Sequence, residues 1–118
     1  MDDDTKEIES FLIKAKMRIQ ANQRHLVRRK TRNLEQDLID LGLSSTRDVW
    51  NTIMSLQIIH SNKPPEYDED GSGEKVFFFL KAMPNGTTAY IKMKLKQSDN
   101  GDVCVCLSFH PTNTSAIN

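Results

Sequence analysis

Few features of this sequence assign it to a specialised class of protein. It has only two cysteines, Cys104 and Cys106, which do not make a disulfide framework. No apolar run approaches the roughly 20 residues of a membrane-spanning helix. The N-terminal segment MDDDTKEIES is acidic, whereas a signal peptide begins with basic residues. From these absences we expect a soluble cytoplasmic protein that does not contact a membrane.

An excess of charge is also missing. Sixteen basic residues balance sixteen acidic residues, so the net charge predicts no partner. With 37% hydrophobic and 27% charged residues, the chain has the composition of a globular domain rather than that of a disordered chain. Its 118 residues suffice for one domain. We assign this domain to residues 1–111 and expect residues 112–118 to form a polar tail.

Motifs for metal-dependent and nucleotide-dependent chemistry are absent from the sequence. The segment DEDG at residues 68–71 lacks the spaced ligands and the closing glutamate of a calcium loop. Two cysteines do not complete a zinc site. The chain has neither a phosphate-binding glycine loop nor a nucleophilic serine elbow. We therefore expect no bound metal and no cofactor.

The charges that are present are segregated along the chain. Residues 10–34 contain eight basic residues and no acidic one, and residues 75–98 contain five lysines and no acidic residue. Acidic segments precede both blocks. A basic block attracts phosphate groups, but a solvated helix face has the same composition, so both interpretations are open for residues 10–34.

Apolar residues at helical spacing predict three helices in the first half of the chain. The first covers residues 5–19, with Asp4 as its cap. The second runs from Leu34 to Leu41 and ends at Gly42. The third follows the capping sequence STRD at residues 45–48 and extends to Leu56.

Residues 60–75 contain two prolines and two glycines, and we expect a mobile loop there. After residue 75 the apolar pattern changes to a period of two, which predicts antiparallel strands at 76–81, 87–96 and 103–110. An apolar sheet face needs a cover. The expected fold is therefore α+β, with N-terminal helices packed on one face of a C-terminal antiparallel sheet.

The turns predict how these strands pair. Asn85-Gly86 suits a two-residue hairpin turn. It gives the pairs Lys81–Tyr90, Phe79–Lys92 and Phe77–Lys94. Asp99-Asn100-Gly101 suits a three-residue loop, which gives the pairs Lys92–Ser108 and Tyr90–His110.

These registers divide the sheet into two faces. One face is entirely apolar: Val76, Phe78, Leu80, Ala89, Ile91, Met93, Leu95, Val103, Val105, Leu107 and Phe109. The other is mixed: Phe77, Phe79, Lys81, Tyr90, Lys92, Lys94, Lys96, Cys104, Cys106, Ser108 and His110. A slip of one residue would mix the two faces, so the turn chemistry and the apolar pattern support each other.

The mixed face combines groups that bind single-stranded RNA. Lysines neutralise backbone phosphates, and exposed aromatic rings stack on unpaired bases. Ordinary explanations stay open: alternating lysines are typical of a solvent-facing sheet, and Phe77 and Phe79 also suit packing under a helix or under the 60–75 loop. The candidate RNA-binding residues are Lys81, Lys92, Lys94, Phe77, Phe79, Arg28, Arg29 and Arg32.

Tyr90 and His110 form the candidate catalytic pair. Cross-strand neighbours have Cβ atoms roughly 5 Å apart. A histidine transfers protons near neutral pH, a tyrosine hydrogen-bonds a phosphate oxygen, and lysines stabilise charge on a phosphorane. These groups suit RNA cleavage in which the 2′-hydroxyl attacks the adjacent phosphate. A tyrosine opposite a histidine is also compatible with a purely structural role.

From about Phe11 to His110, the chain resembles the motility quorum-sensing regulator (MqsR-type) toxins. The resemblance lies in the order of elements and in the motifs LIDLGL, DVWNTIMSL, a lysine shortly after that helix, AYIKMKL and CLSFH. These toxins are RNA-cleaving proteins of bacterial type II toxin–antitoxin systems with a RelE-like fold. The family's functional places fall on Lys63, Tyr90 and His110, where His110 replaces a lysine. The family's strand glutamine and nearby tryptophan have no counterpart.

The resemblance implies an mRNA interferase, a metal-independent endoribonuclease that cleaves single-stranded mRNA and leaves a 2′,3′-cyclic phosphate. Its catalytic residues would be Lys63, Tyr90 and His110. It also implies a cognate antitoxin protein that holds the toxin inactive. The alternative is a non-enzymatic module whose basic face binds a nucleic acid or an acidic protein.

Overall fold

The structure, a computed structural model, describes residues 3–116. Its helices are α1 Asp3–Gln20, α2 Leu34–Asp40 and α3 Thr46–Met54. Its strands are β1 Arg24–Leu26, β2 Ser61–Tyr67, β3 Lys75–Ala82, β4 Thr88–Lys96 and β5 Val103–Thr112. A short 3₁₀ helix, Ile58–His60, leads into β2. The expected tail begins within β5, and its last two residues lie outside the described range.

The five strands form one sheet in the order β1-β5-β4-β3-β2. Strands β2 to β5 pair antiparallel with their neighbours, and β1 pairs parallel with β5. The helices contribute to one core on one side of this sheet. The predicted α+β fold is thus confirmed. Among residues 3–116, no helix has the length and apolar character needed to cross a membrane.

Helix α1 forms because its apolar residues fall on one side of a helix. Its buried residues are Ile8, Phe11, Leu12, Ala15 and Ile19. They pack in the same core as Ile91, Met93 and Phe109 of the sheet. The helix already includes Asp3, so Asp4 lies within the first turn and is not the cap.

Local hydrogen bonds set the starts of α2 and α3. The Asn33 side chain accepts a hydrogen bond from the Gln36 N–H (3.1 Å), which caps α2 as N-cap residues do. Gly42, with φ of 77°, lies just beyond its end. Before α3, the Asp48 carboxylate accepts a hydrogen bond from the Ser44 N–H (2.8 Å). Both predicted helices are present.

The hairpin between β3 and β4 has a longer loop than predicted. Its three loop residues are Pro84, Asn85 and Gly86, and the Met83 N–H donates to the Thr87 carbonyl (2.8 Å). Gly86 has φ of 88°, and its N–H donates to the Met83 carbonyl (3.0 Å). This geometry is a type I turn followed by a glycine bulge.

The additional loop residue shifts β3 by one position relative to β4. The observed pairs are Leu80–Tyr90, Phe79–Ile91, Phe78–Lys92 and Phe77–Met93. The predicted pairs of Lys81, Phe79 and Phe77 are therefore wrong. Phe77 and Phe79 face the helices and are 6% and 0% exposed, whereas Phe78 faces the opposite way.

Two predicted pairs between β4 and β5 are confirmed: Lys92–Ser108 and Tyr90–His110. The register then shifts, because Met93 lies opposite Cys106 and Leu107 is an additional residue on β5. Beyond this bulge, Cys104 and Cys106 face the core, and not the mixed face as predicted. Burial raises the pKa of both thiols, that of Cys104 to about 12.

The prediction of a loop at residues 60–75 is wrong for its first half. That half is the edge strand β2, which pairs with β3 and shifts register on both sides of Lys63. The two prolines that follow Lys63 supply no N–H, which suits an edge strand. The second half is a turn in which the Asp68 N–H donates to the Glu74 carbonyl (2.8 Å).

Candidate nucleic-acid interface

The sheet face opposite the helices, which we call the outer face, carries two rows of side chains across the strands. The first row consists of Lys63, Phe78, Lys92 and Ser108. The second row consists of Leu80, Tyr90 and His110. Adjacent rows lie two residues apart along each strand, about 7 Å. The rows therefore bring the candidate catalytic pair close to two lysines.

Tyr90 and His110 are in ring contact at one end of the outer face. Their ring centroids are 5.2 Å apart and the ring planes are inclined by 33°. Nδ1 of His110 lies 2.8 Å from the Pro111 carbonyl oxygen. Since a carbonyl oxygen only accepts hydrogen bonds, Nδ1 carries the proton of the neutral ring, and the lone pair of Nε2 is available to accept another.

Two cations border this pair. The Arg29 Nη1 donates a hydrogen bond to Ser108 Oγ (2.7 Å), which holds the guanidinium over β5. Lys92 lies directly opposite Ser108. Its ammonium makes no ion pair or hydrogen bond with any residue between 3 and 116. Arg29 and Lys92 can thus both accept a phosphate as an ionic partner.

Lys63 enters the outer face from β2. Its Nζ lies 4.0 Å from the centre of the Phe78 ring and 2.9 Å from the Glu66 carboxylate. The hydrogen bond to Glu66, with a smaller contribution from the Glu66 charge, raises the pKa of Lys63. Lys63 is therefore a cation on the outer face, on the strand two positions from that of Tyr90.

Sequence reasoning missed Phe78, because the predicted register assigned it to the core. The signal that could have found it is the run of three phenylalanines at 77–79. Side chains alternate between the faces of a strand, so such a run places at least one ring on each face.

Four predicted RNA-binding residues are not on the accessible outer face. Phe77 and Phe79 belong to the core, where Phe77 stacks on Phe11 with centroids 3.9 Å apart. Lys81 lies opposite Ala89 on the helix side of the sheet and lines a groove beside α3. The fourth, Lys94, is on the outer face but only 5% exposed.

Lys94 is held by carboxylates of the β2–β3 connection. Its Nζ lies 2.7 Å from Asp68, 2.8 Å from Asp70 and 2.9 Å from Glu74. Burial alone would lower the pKa of Lys94, but these three hydrogen bonds raise it. The same contact lowers the pKa of Asp70 and of Glu74. Lys94 is thus a structural ion-pair centre, and its assignment to RNA binding is wrong.

The remaining predicted arginines occupy the segment between β1 and α2. Arg28 is exposed and pairs with Glu35 (2.6 Å). Arg32 forms a two-pronged ion pair with the buried Asp37, at 2.9 and 2.7 Å. A narrow cleft of about 20 Å³, enough for one water molecule, separates Arg32 from His110.

The chain matches no known protein family, no curated protein and no solved structure in comparisons with each of these three sets. Among residues 3–116, no three histidine, cysteine, aspartate or glutamate side chains are arranged to hold a metal ion.

Proposed function

We propose that this protein is a metal-independent endoribonuclease that cleaves single-stranded RNA at the Tyr90–His110 pair. The observation that carries the proposal is the contact between these two rings, 5.2 Å apart, on a sheet face bordered by Arg29, Lys92 and Lys63. A proton-transfer group beside several cations meets the needs of phosphodiester cleavage.

His110 would act as the general base. Its Nε2 takes the proton of a ribose 2′-hydroxyl, and the 2′-oxygen attacks the adjacent phosphorus. The bond from phosphorus to the 5′-oxygen breaks, which gives a 2′,3′-cyclic phosphate and a 5′-hydroxyl. The Tyr90 hydroxyl, a donor within the same contact, would protonate the leaving 5′-oxygen, and the proton that His110 takes up would pass to solvent as Tyr90 regains its own.

The cations around the pair would stabilise the negative charge of the transition state. Lys92 has no competing carboxylate within residues 3–116, and Arg29 is held only by a neutral hydroxyl. Lys63 is shared with Glu66 and would move to the phosphate. Fixed cations that face developing charge are often a large part of enzymatic rate enhancement.

We further propose that the enzyme is the toxin of a bacterial type II toxin–antitoxin system. The resemblance to MqsR-type toxins supports this role: of its functional places, Tyr90 and His110 are in contact, and Lys63 lies on the same face of the sheet, on β2. Such a toxin would act on mRNA in the cytoplasm and would have a cognate antitoxin as its partner.

Expression in a bacterial host tests the proposal. Wild-type protein should arrest growth with decay of mRNA, and co-expression of the cognate antitoxin should restore growth. The variant with both His110→Ala and Tyr90→Phe, expressed at the same level, should cause neither growth arrest nor decay of mRNA. Binding of RNA by the purified protein without cleavage would instead favour the non-enzymatic binding module.

A further inference from the structure

Phe78 differs from both of its neighbours in β3. Phe77 and Phe79 lie under the helices, whereas Phe78 lies in the outer-face row between Lys63 and Lys92. It is nevertheless only 6% exposed. The Lys63 ammonium lies over its ring, 4.0 Å from the centroid. The Lys63 side chain therefore covers one face of this ring, on the side of the sheet away from the helices.

This cover is loosely held. The side chains of Lys63 and its partner Glu66 are 44% and 55% exposed, and ion pairs with such exposure contribute little. Strand β2 shifts register on both sides of Lys63, an irregularity that is frequent beside functional sites. Lys63 can therefore leave the ring while β2 stays paired with β3.

In an extension that rests on the proposed function, we infer that Phe78 is the stacking platform for one base of single-stranded RNA. Lys63 covers the platform in the free protein and moves to a phosphate when RNA binds. The aromatic face that attracts an ammonium is also a surface on which any base can stack. RNA supplies the base and the phosphate together, and a phosphate is a stronger partner for Lys63 than the ring is.

The position of Phe78 suits this role. Tyr90 lies opposite Leu80, two residues beyond Phe78, so Phe78 and Tyr90 are diagonal neighbours about 7–8 Å apart. A base on Phe78 would thus adjoin the phosphate at the Tyr90–His110 pair. Stacking of this kind tolerates every base and gives affinity rather than sequence selectivity.

Binding of a short unstructured oligodeoxynucleotide tests the inference, because this probe lacks the attacking 2′-hydroxyl. Phe78→Leu should weaken its binding about 5- to 150-fold, the usual effect of losing one stacked base. Phe78→Trp should keep affinity close to that of the wild type. Tyr67→Leu is the matched control, because Tyr67 also lies under a lysine, at 5.1 Å from Lys75, but is 69% exposed at the far end of β2.

Wild-type affinity in folded Phe78→Leu, checked by circular dichroism, would overturn the inference. If that variant does not fold, NMR of the wild type decides: the Phe78 ring protons should shift upfield when the probe is added, and unchanged shifts would refute stacking. Suppose that the wild type cleaves RNA and that wild type and Phe78→Leu bind the probe equally well. The stacking role of Phe78 is then refuted, and the proposed endoribonuclease function stands. If the Phe78 ring protons shift upfield but the protein does not cut RNA, the stacking role stands and the proposed endoribonuclease function is refuted.

Discussion

Lys92 and Lys94 lie two residues apart on β4 and point to the same side of the sheet, yet their surroundings are opposite. Three carboxylates lie within 2.9 Å of the Lys94 ammonium, which is buried. Lys92 is half-buried, has no such partner among residues 3–116, and faces Ser108 and the Tyr90–His110 pair. One lysine stabilises the fold, and the other is available to a ligand.

The difference arises because an acidic segment places its carboxylates at only one end of a sheet face that is rich in lysine. The turn after β2 supplies Asp68, Asp70 and Glu74, and these three carboxylates outnumber the single positive charge of Lys94 at that end of the outer face. The opposite end keeps the positive charges of Lys92 and Arg29. A run of lysines in the sequence is thus divided by the fold into a structural part and a part suited to binding phosphate.

The largest expected effect is on catalysis at the end of the outer face that carries Tyr90 and His110. His110→Ala and Tyr90→Phe should each lower the rate of cleavage of unstructured RNA about 10²- to 10⁴-fold, the usual contribution of a positioned proton-transfer group. Both residues are only half-buried, so both variants should fold like the wild type. His25→Ala, which removes an exposed histidine on β1, is the matched control and should cleave normally. Wild-type rates from folded His110→Ala would remove this residue from the mechanism.

The next effect is on stability at the acidic end of the outer face, around Lys94. Lys94→Met keeps the apolar stem but leaves three carboxylates facing one another, so the free energy of unfolding should fall by about 2–3 kcal/mol. This figure lies below the usual range for a broken buried ion pair because the Asp70 side chain is 46% exposed. Urea denaturation measures it. An unchanged midpoint would show that the carboxylates do not depend on Lys94.

For Lys92→Met we expect the reverse of Lys94→Met: stability should hardly change, and binding should change. Its unfolding free energy should stay within about 0.5 kcal/mol of the wild type, since Lys92 makes no ion pair that the substitution would break. The salt dependence of binding to the oligodeoxynucleotide should decrease by about 0.7 in the logarithmic slope, as for one lost phosphate contact. An unchanged slope would show that Lys92 does not contact a phosphate, and the contrast with Lys94 would be weaker.

The smallest effect concerns a histidine on the helix side of the sheet. His60 is buried, and its Nδ1 accepts a hydrogen bond from the Gln57 N–H (2.9 Å). Burial, with smaller contributions from Lys81 and Lys16, lowers the pKa of His60 below its ordinary value of 6.5. The folded state therefore prefers the neutral ring, and this contribution to stability is complete above pH 6.5 and decreases as the pH falls below it.

The expected pH dependence can be measured by comparing unfolding free energies on the two sides of that pH. His60→Asn keeps a hydrogen-bond acceptor but cannot be protonated, so its stability should change less on acidification than that of the wild type. His25→Asn, at an exposed position, should behave like the wild type. Identical pH profiles for His60→Asn and the wild type would contradict the assignment.

The helices could be predicted from the sequence because each depends on a strong local signal, whereas the Tyr90–His110 pair came out right only because the bulge at Leu107 offsets a register error of one residue beside the loop before β5. The apolar stripe of α1 specifies one face. Beside the loop before β5 the observed pairs are Lys96–Val103 and Leu95–Cys104, so the register predicted from a three-residue loop is wrong there by one residue. The bulge at Leu107 lies between that loop and the pair, and the predicted register is wrong for Cys104 and Cys106.

The register of β3 could not be predicted, because residues 76–80 are apolar on both sides and alternation gives no preference. The Asn85-Gly86 dipeptide also fits both the two-residue and the three-residue loop. Strand β2 was missed because its two prolines are typical of loops, whereas an edge strand tolerates proline. The register of β3 and the length of the hairpin loop place Phe78, and neither of its neighbours, on the face of the candidate site.

Analysis of the cleavage products tests the central claim most directly. Purified protein with a chelator should cut unstructured RNA and leave a 2′,3′-cyclic phosphate and a 5′-hydroxyl, because the 2′-hydroxyl is the nucleophile. An otherwise identical strand with 2′-deoxyribose at every position should stay intact, and His110→Ala should leave the RNA uncut over the same time. A 3′-hydroxyl product, cutting of the deoxyribose strand or undiminished cleavage by folded His110→Ala would contradict the account.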